Sequence, residues 1–163
     1  PLNPYVGLPP LLDIGVSAKV FCCPADNGVT SDNLTRSYDC FGTSYQTNIF
    51  LIGQDRVNSG GLKRIKPLYE AIDSLLPNLT ASRVVDPSRL VLMGDYGWGV
   101  QWIPRYPTGV AWHGIPGYYS LVFLDGHAAF LRIRKGLFIT PVYRIQPFES
   151  LDNLTISVQQ EEP

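Results

Sequence analysis

A chain of 163 residues, 45% of them hydrophobic and 17% charged, falls within the size of one domain, can bury a core, and is not composed like a disordered polymer. Its 13 basic and 14 acidic side chains leave a formal net charge of −1, which excludes the electrostatic footprint of a nucleic-acid binder and a polybasic surface for anionic lipid. With 15 glycines and 14 prolines spread along it, the chain is expected to form short strands joined by turns, with long helices scarce.

Residues 1–19 are proline-rich and loosely apolar, predicting a loop or short strand laid over the core. The opening Pro1-Leu2-Asn3-Pro4 has neither the basic start nor the apolar run of a signal peptide, and no stretch approaches the roughly 18–20 apolar residues that cross a bilayer. The expectation is a fragment whose beginning lies upstream. Lys19-Val20-Phe21-Cys22-Cys23 predicts a short strand stopped by Pro24, and Ala25-Asp26-Asn27-Gly28 is turn chemistry. The adjacency of Cys22 and Cys23 suits zinc poorly. Neighbours on a strand point to opposite faces, so only one of the two easily faces Cys40. The expectation is one bridge from Cys40 to Cys22 or Cys23 with one buried thiol left over; the alternative is three reduced core cysteines.

Residues 31–36 read as a polar loop, and 37–52, rich in aromatic, Thr and Ile residues, as one or two extended segments. After the break at Gly60-Gly61, the apolar residues Leu62, Ile65, Leu68, Tyr69, Ile72 and Leu75 recur at helical spacing. Pro67 is tolerated only in a first turn, so the helix is placed over 67–76, with its apolar stripe packed on a sheet. Val84-Val85-Asp86-Pro87-Ser88 is a turn, and Arg89-Leu90-Val91-Leu92-Met93 a buried strand. Residues 94–119 carry Tyr96, Trp98, Trp102, Tyr106 and Trp112 among glycines and prolines and predict a long structured loop. These five aromatics form either a stacking surface for sugar rings or a secreted partner, or a set of inward anchors.

Two apolar runs around Asp125-Gly126 predict a β-hairpin with a two-residue turn, since Asp-Gly accepts the positive φ that a type I′ turn requires. That register sets Leu124 against His127, Val122 against Ala129 and Ser120 against Leu131, and both faces are apolar enough to expect cover on each side. Further strands are predicted at 137–145 and 154–159. Three sequon-like triplets, Asn33-Leu34-Thr35, Asn78-Leu79-Thr80 and Asn153-Leu154-Thr155, read as polar turns.

His113, His127, Asp95, Asp125 and Ser120 can be written as a hydrolytic triad, but no nucleophile elbow is present and Ser120 falls inside the hairpin strand. No catalytic residue is therefore expected. His127 is read as a strand residue bonded near the turn, and Asp125 as a turn residue.

Four segments in order resemble the bacterial pilin-like family that carries the H-X9-DG processing-associated domain. Val20-Phe21-Cys22-Cys23-Pro24-Ala25-Asp26 is similar to its "vfrCPsD" strand and turn. Ser37-Tyr38 or Ser44-Tyr45, followed by Asn48, is similar to its "SYgyN" segment. The run from Ser82-Arg83-Val84-Val85-Asp86-Pro87 through Met93-Gly94-Asp95 resembles its "dPSrtvlmgD" element, and His113 with Val122-Phe123-Leu124-Asp125-Gly126-His127-Ala128 its "H…vlFaDGHv" signature. The likeness spans roughly residues 4–136. It departs from the family in two places: eleven residues separate His113 from Asp125 where the signature has nine, and 62–81 is longer than usual.

The resemblance implies a single α+β, sheet-rich domain over 1–163, a pilin-like antiparallel head with one short helix and without the N-terminal stalk helix. It further implies a structural pseudopilin or type IV pilin-like subunit of the cell envelope, periplasmic or extracellular. Partners would be other subunits, met through that helix, and a secreted protein or glycan. The signature turn is then His113, Asp125, Gly126 and His127. No cofactor and no metal are expected. A structural calcium, as in some pseudopilins, would draw on Asp26, Asn27, Asp32, Asp95 and Asp125, which lack EF-hand spacing.

Overall fold

Tyr119, Leu121 and Phe123 alternate with Tyr118, Ser120 and Val122, and this period of two decides which side of the sheet is buried. The computed structural model describes residues 18–28, 35–52, 66–101 and 111–160. Strands β1 (Tyr45–Thr47), β2 (Val91–Asp95), β3 (Tyr118–Phe123) and β4 (Ala128–Arg132) form one four-stranded sheet in the order β1-β2-β3-β4, each neighbour antiparallel. Helices α1 (Ser37–Phe41), α2 (Lys66–Leu75), α3 (Trp98–Gln101) and α4 (Asp152–Gln160) complete an α+β fold. Among the described residues no helix is long and apolar enough to cross a membrane.

One face of the sheet carries the core. Tyr119, Leu121 and Phe123 of β3 meet Leu68, Tyr69 and Ile72 of α2, together with Phe50, Phe138, Tyr143, Ile145 and, from α4, Val158. Helix α2 forms where the apolar spacing places it, with Pro67 in its first turn. Phe50 stacks on Tyr69 at 4.7 Å and meets Phe138 edge-on at 6.1 Å.

The hairpin turns at Asp125-Gly126, but its register is one residue away from the expected one. Val122 pairs with Ala128, Ser120 with Phe130 and Tyr118 with Arg132. The loop contains three residues: Gly126 N donates to Phe123 O and Phe123 N to His127 O, both at 2.9 Å, with Gly126 at φ +93°. This is the bulged hairpin in which a tight turn is followed by a left-handed glycine. Leu124 is taken out of the ladder because its N–H bonds Leu90 O at 2.9 Å, while Asp125 N reaches Pro87 O at 3.3 Å. The slip sends Ala128, Phe130 and Arg132 outward, and Phe130 is 45% exposed. The expected cover on both faces is thus corrected to cover on one.

Other expectations change for similar reasons. Residues 19–23 form a 3-10 turn, Lys19–Phe21, followed by extended Cys22. Within 37–52 only Tyr45–Thr47 is a strand, because Ser37–Phe41 is helical and Ile49–Leu51 forms another 3-10 turn. The stretch 94–119 contributes Gly94 and Asp95 to β2 and Tyr118 and Tyr119 to β3, and forms α3. In 137–145 there are only isolated bridges, Ile139 to Arg144 and Leu90 to Arg144. The predicted strand at 154–159 is α4. Its β-branched residues suggest a strand, yet Leu154, Thr155 and Val158 share one buried side of a helix packed on α2. Residues 1–17 of the loop or strand expected over 1–19, the break at Gly60-Gly61, and Leu62 and Ile65 lie outside the described residues.

Arg144, 2% exposed, ties α4 to the sheet. Its guanidinium bonds the Asp152 carboxylate and Gln146 O, and its backbone bonds Arg89 O and Val91 N. A buried guanidinium that loses its carboxylate is left as an uncompensated charge. Asp152→Ala should therefore cost roughly 2–4 kcal/mol, the partial exposure of Asp152 keeping it below the fully buried case. Urea unfolding measures this as a lower midpoint at an unchanged slope, and an unshifted midpoint would refute it.

Candidate functional site

The site is assembled around a buried carboxylate. Asp26 accepts hydrogen bonds from Gly28 N (3.2 Å), Ser37 N (3.0 Å), Tyr38 N (2.9 Å) and Ser44 Oγ (2.7 Å). Helix α1 has no side-chain cap from its own Arg36, so a carboxylate from a distant turn satisfies its first amides. Burial by itself would raise the Asp26 carboxyl, but these four bonds, led by Ser44, outweigh it and hold the group below its ordinary value. Ser44 then fixes its surroundings: its Oγ accepts from Cys23 N at 2.9 Å, its N donates to Phe21 O at 2.8 Å, and its O accepts from Tyr96 N at 2.8 Å. Cys23 is thereby held against the end of β2.

Asp95, the last residue of β2, is 2% exposed. Its Oδ2 accepts from Ser120 N at 2.7 Å and lies 3.2 Å from His113 Nε2; its Oδ1 is buried and has no hydrogen-bond partner. This approach of β2 to β3 requires Gly94. A Cβ there would stand 2.4 Å from Leu121 Cδ2 and 2.9 Å from Ser120 O, and the second of these is backbone that cannot rotate away. His113 is placed by its neighbour Trp112, whose Nε1 donates to Gly28 O at 2.8 Å, and its ring meets Phe130 edge-on at 5.7 Å. Its Nε2 lies 3.9 Å from Cys23 Sγ and 3.5 Å from Ser120 Oγ. One ligand atom each from Cys23, Asp95 and His113 lies within 4.8 Å of the other two. Burial pushes the Cys23 thiol up; a hydrogen bond from the Ala25 backbone opposes this, and the charges of Asp95 and Asp26 add to it.

A nucleophile–base relay needs the thiol or hydroxyl on one imidazole nitrogen and the carboxylate on the other. Here Cys23, Asp95 and Ser120 all address Nε2, which is not that geometry. Of the residues that can be written as a triad, the fold brings Asp95, His113 and Ser120 together. It leaves Asp125 and His127 at the opposite end of β3, where His127 Nδ1 bonds Asp125 Oδ1 at 2.7 Å and the ring stacks on Phe123 at 4.3 Å. The His127 ring, with the His127 backbone N–H, holds the Asp125 carboxyl below its ordinary value. The signature residues His113 and Asp125-Gly126-His127 are therefore two separate features, not one turn.

Cys23 enters the sequence reading only as a disulfide candidate. All three cysteines are free thiols: Cys23 is buried beside His113, Cys22 is half-buried near Arg36, and Cys40 is exposed on α1. The expected bridge from Cys40 is not formed: the Cys23 thiol lies beside His113 and the Cys22 thiol beside Arg36. The five aromatics divide likewise. Trp98 is 1% exposed and donates to Gln46 O at 2.8 Å, Trp112 is buried, and Tyr96 stacks on Phe41 at 5.3 Å. Trp98 and Trp112 are thus anchors and offer no free ring face, while Trp102 and Tyr106 lie outside the described residues. Nor do the calcium candidates meet as a set. Asp26 is occupied by backbone donors, Asn27 is exposed, Asp125 is at the far hairpin turn, and Asp32 lies outside the described residues. Asn153-Leu154-Thr155 belongs to α4 and is not a turn; Asn33 lies outside the described residues.

Comparison of the chain with family profiles, with curated proteins and with solved structures finds no match.

Replacing Asp26 by Ala strands three backbone donors and a hydroxyl, and should destabilise the domain by roughly 2–4 kcal/mol. The sign with pH follows from its depressed value in the fold. The stability it lends is complete above the ordinary carboxyl range near about 4, and is lost as pH falls through the lower folded value. Denaturation midpoints between pH 6 and pH 2–3 should fall less steeply in Asp26→Asn than in the parent, and equal slopes would contradict the assignment. Separately, Gly94→Ala should push β2 from β3 and lower the melting temperature by several degrees, about 2 kcal/mol. Thermal unfolding followed by circular dichroism checks this, and an unchanged midpoint would show that the strands separate freely there.

Proposed function

We propose that the chain is the head of a pilin-like, pseudopilin-type subunit of a bacterial cell-envelope filament, with a structural and not a catalytic task. The observation that carries this reading is how the segments of the resemblance meet. Cys23 and Asp26 from the first, Ser44 and Asn48 from the second, Asp95 from the third and His113 from the fourth are held in adjacent strands and turns of one sheet. Asn48 is fully buried, and its side-chain amide donates to Val91 O and Ile145 O, both at 2.7 Å, while its Oδ1 accepts from Phe50 N at 3.0 Å. Asp26, Ser44, Asn48 and Asp95 are used structurally: each satisfies backbone groups that would otherwise be buried without partners.

An antiparallel sheet with α2 and α4 packed on one face supports the same reading. A binding module built on the aromatic loop draws little support, since Trp98 and Trp112 point their rings inward. In this proposal the subunits assemble through an apolar helix upstream of Pro1. Nothing on the described surface offers a heptad seam to replace it. A secreted partner of such a head is a protein or glycan and not a nucleic acid.

Sedimentation of the 163-residue chain should give a monomer or weak oligomer, and electron microscopy of cells producing the full-length protein should show filaments that vanish when the upstream helix is deleted. Polymerisation of the isolated chain would sink the proposal. So would turnover of a substrate that is lost on His113→Ala.

A further inference from the structure

We propose that Cys23, Asp95 and His113 form a binding site for a divalent transition metal ion of the zinc type, with a fourth position open toward solvent. The inference does not depend on the filament-head reading, and it revises the expectation of no metal.

Two independent observations carry it. The first is the convergence of three different ligand types on one point: a thiol sulfur, a carboxylate oxygen and an imidazole nitrogen, none more than 4.8 Å from another. Metal–sulfur bonds of about 2.3 Å and metal–nitrogen or metal–oxygen bonds of about 2.0–2.2 Å at tetrahedral angles put S···N at about 3.6 Å and N···O at about 3.4 Å. The separations present are 3.9 Å from Cys23 Sγ to His113 Nε2 and 3.2 Å from His113 Nε2 to Asp95 Oδ2. A shift of a few tenths of an ångström brings these two pairs to coordination distance.

The second observation is the unpartnered Asp95 Oδ1. Asp95 is 2% exposed and this oxygen has no hydrogen-bond donor, a costly arrangement for a buried carboxylate. The Oδ2 of the same carboxylate faces His113, and a cation held by both oxygens would supply what Oδ1 lacks.

The surroundings hold each ligand from behind, as metal sites require. Ser120 N fixes Asp95 through Oδ2, Ser44 Oγ fixes the backbone of Cys23, and the Phe130 ring and the Trp112–Gly28 bond position His113. The donor set selects the metal: sulfur and imidazole reject calcium and magnesium, while sulfur, nitrogen and oxygen together suit zinc or cobalt. On coordination the thiol proton leaves to solvent, so thiolate and carboxylate neutralise the dication. The His113 side chain is 32% exposed, which leaves room for a water or an outside ligand in the fourth position. Cys23 and His113 are 90 residues apart in sequence, and the ion would tie the loop after Phe21, the end of β2 and the loop before β3 into one unit. The role this implies is a staple of the native fold.

The test is titration of the whole chain, kept reduced with a non-coordinating phosphine, with cobalt(II) alone. One equivalent should bind, giving visible bands of four-coordinate intensity and a thiolate-to-cobalt charge-transfer band in the near ultraviolet, all displaced by zinc. Cys23→Ser should remove the charge-transfer band. His113→Ala, at a partly exposed ring that the core does not need, should weaken binding on the order of a hundredfold. Cys22→Ser, Cys40→Ser and His127→Ala should bind as the parent does. Zinc should also raise the melting temperature of the parent and of these three controls, but not that of His113→Ala. A folded parent chain with no charge-transfer band overturns the proposal. So does a band that survives Cys23→Ser, or parent-like affinity in His113→Ala.

Discussion

The Asp26 carboxylate is the constraint from which the rest of this end of the molecule follows. A buried carboxylate is tolerated only when donors surround it, and its four donors come from its own turn, from the start of α1 and from Ser44. Because Ser44 also holds Phe21, Cys23 and Tyr96, satisfying one charge docks the 18–28 segment, α1 and the head of β1 onto the end of β2. Hydrophobic burial does not supply this. The core lies on the other face of the sheet, and the residues of the knot are polar and specific where the core is apolar and tolerant.

The sheet thus has two unlike faces. One buries Tyr119, Leu121 and Phe123 under α2, α4 and the 138–148 segment; the other carries the cluster of Cys23, Asp95, His113 and Ser120, with Phe130 beside it. What separates them is register. If β4 paired one residue along, Leu131 and not Phe130 would stand opposite Ser120, and the ring that supports His113 would have another place. The three-residue turn and the Leu124–Leu90 bond therefore matter to a cluster at the far end of the same strand. Gly94 acts from the neighbouring strand, by letting Asp95 come within hydrogen-bonding distance of Ser120 N.

The candidate site was only partly legible from the residues. Asp95, His113 and Ser120 can be picked out as chemistry-bearing types, yet spacing along the chain says nothing of their meeting, since they come from a strand end, a turn and a strand interior. Cys23 was obscured by its neighbour: either of two adjacent cysteines could be written as the partner of Cys40, and only the fold shows that the Cys23 thiol meets His113. His127 and Asp125 had an equal claim on paper and sit at the wrong end of β3. Trp98 and Trp112 could not be assigned to surface or interior by type, because indole serves both; their N–H groups bonded to Gln46 O and Gly28 O decide it.

By itself the sequence determined the features that depend on neighbours along the chain. These are helix α2 with Pro67 in its first turn, the reversal at Asp125-Gly126, the turn around Asp26, and a strand through 91–93, expected over 89–93 and observed as Val91–Asp95. Local sterics and periodicity are sufficient for these. Only the tertiary structure decided the features that depend on partners far away. Residues 152–160 are helical despite their β-branched content because a helix puts Leu154, Thr155 and Val158 on one buried side against α2. The hairpin register was set by Leu90 and Pro87, which capture the N–H groups of Leu124 and Asp125. Cys23, Asp95 and His113 meet because the Ser44 hydroxyl, the Ser120 backbone N–H and the Trp112 indole bridge gaps of 21, 25 and 84 residues. Such contacts rest on the three-dimensional accounting of buried donors and acceptors, which no window along the chain contains.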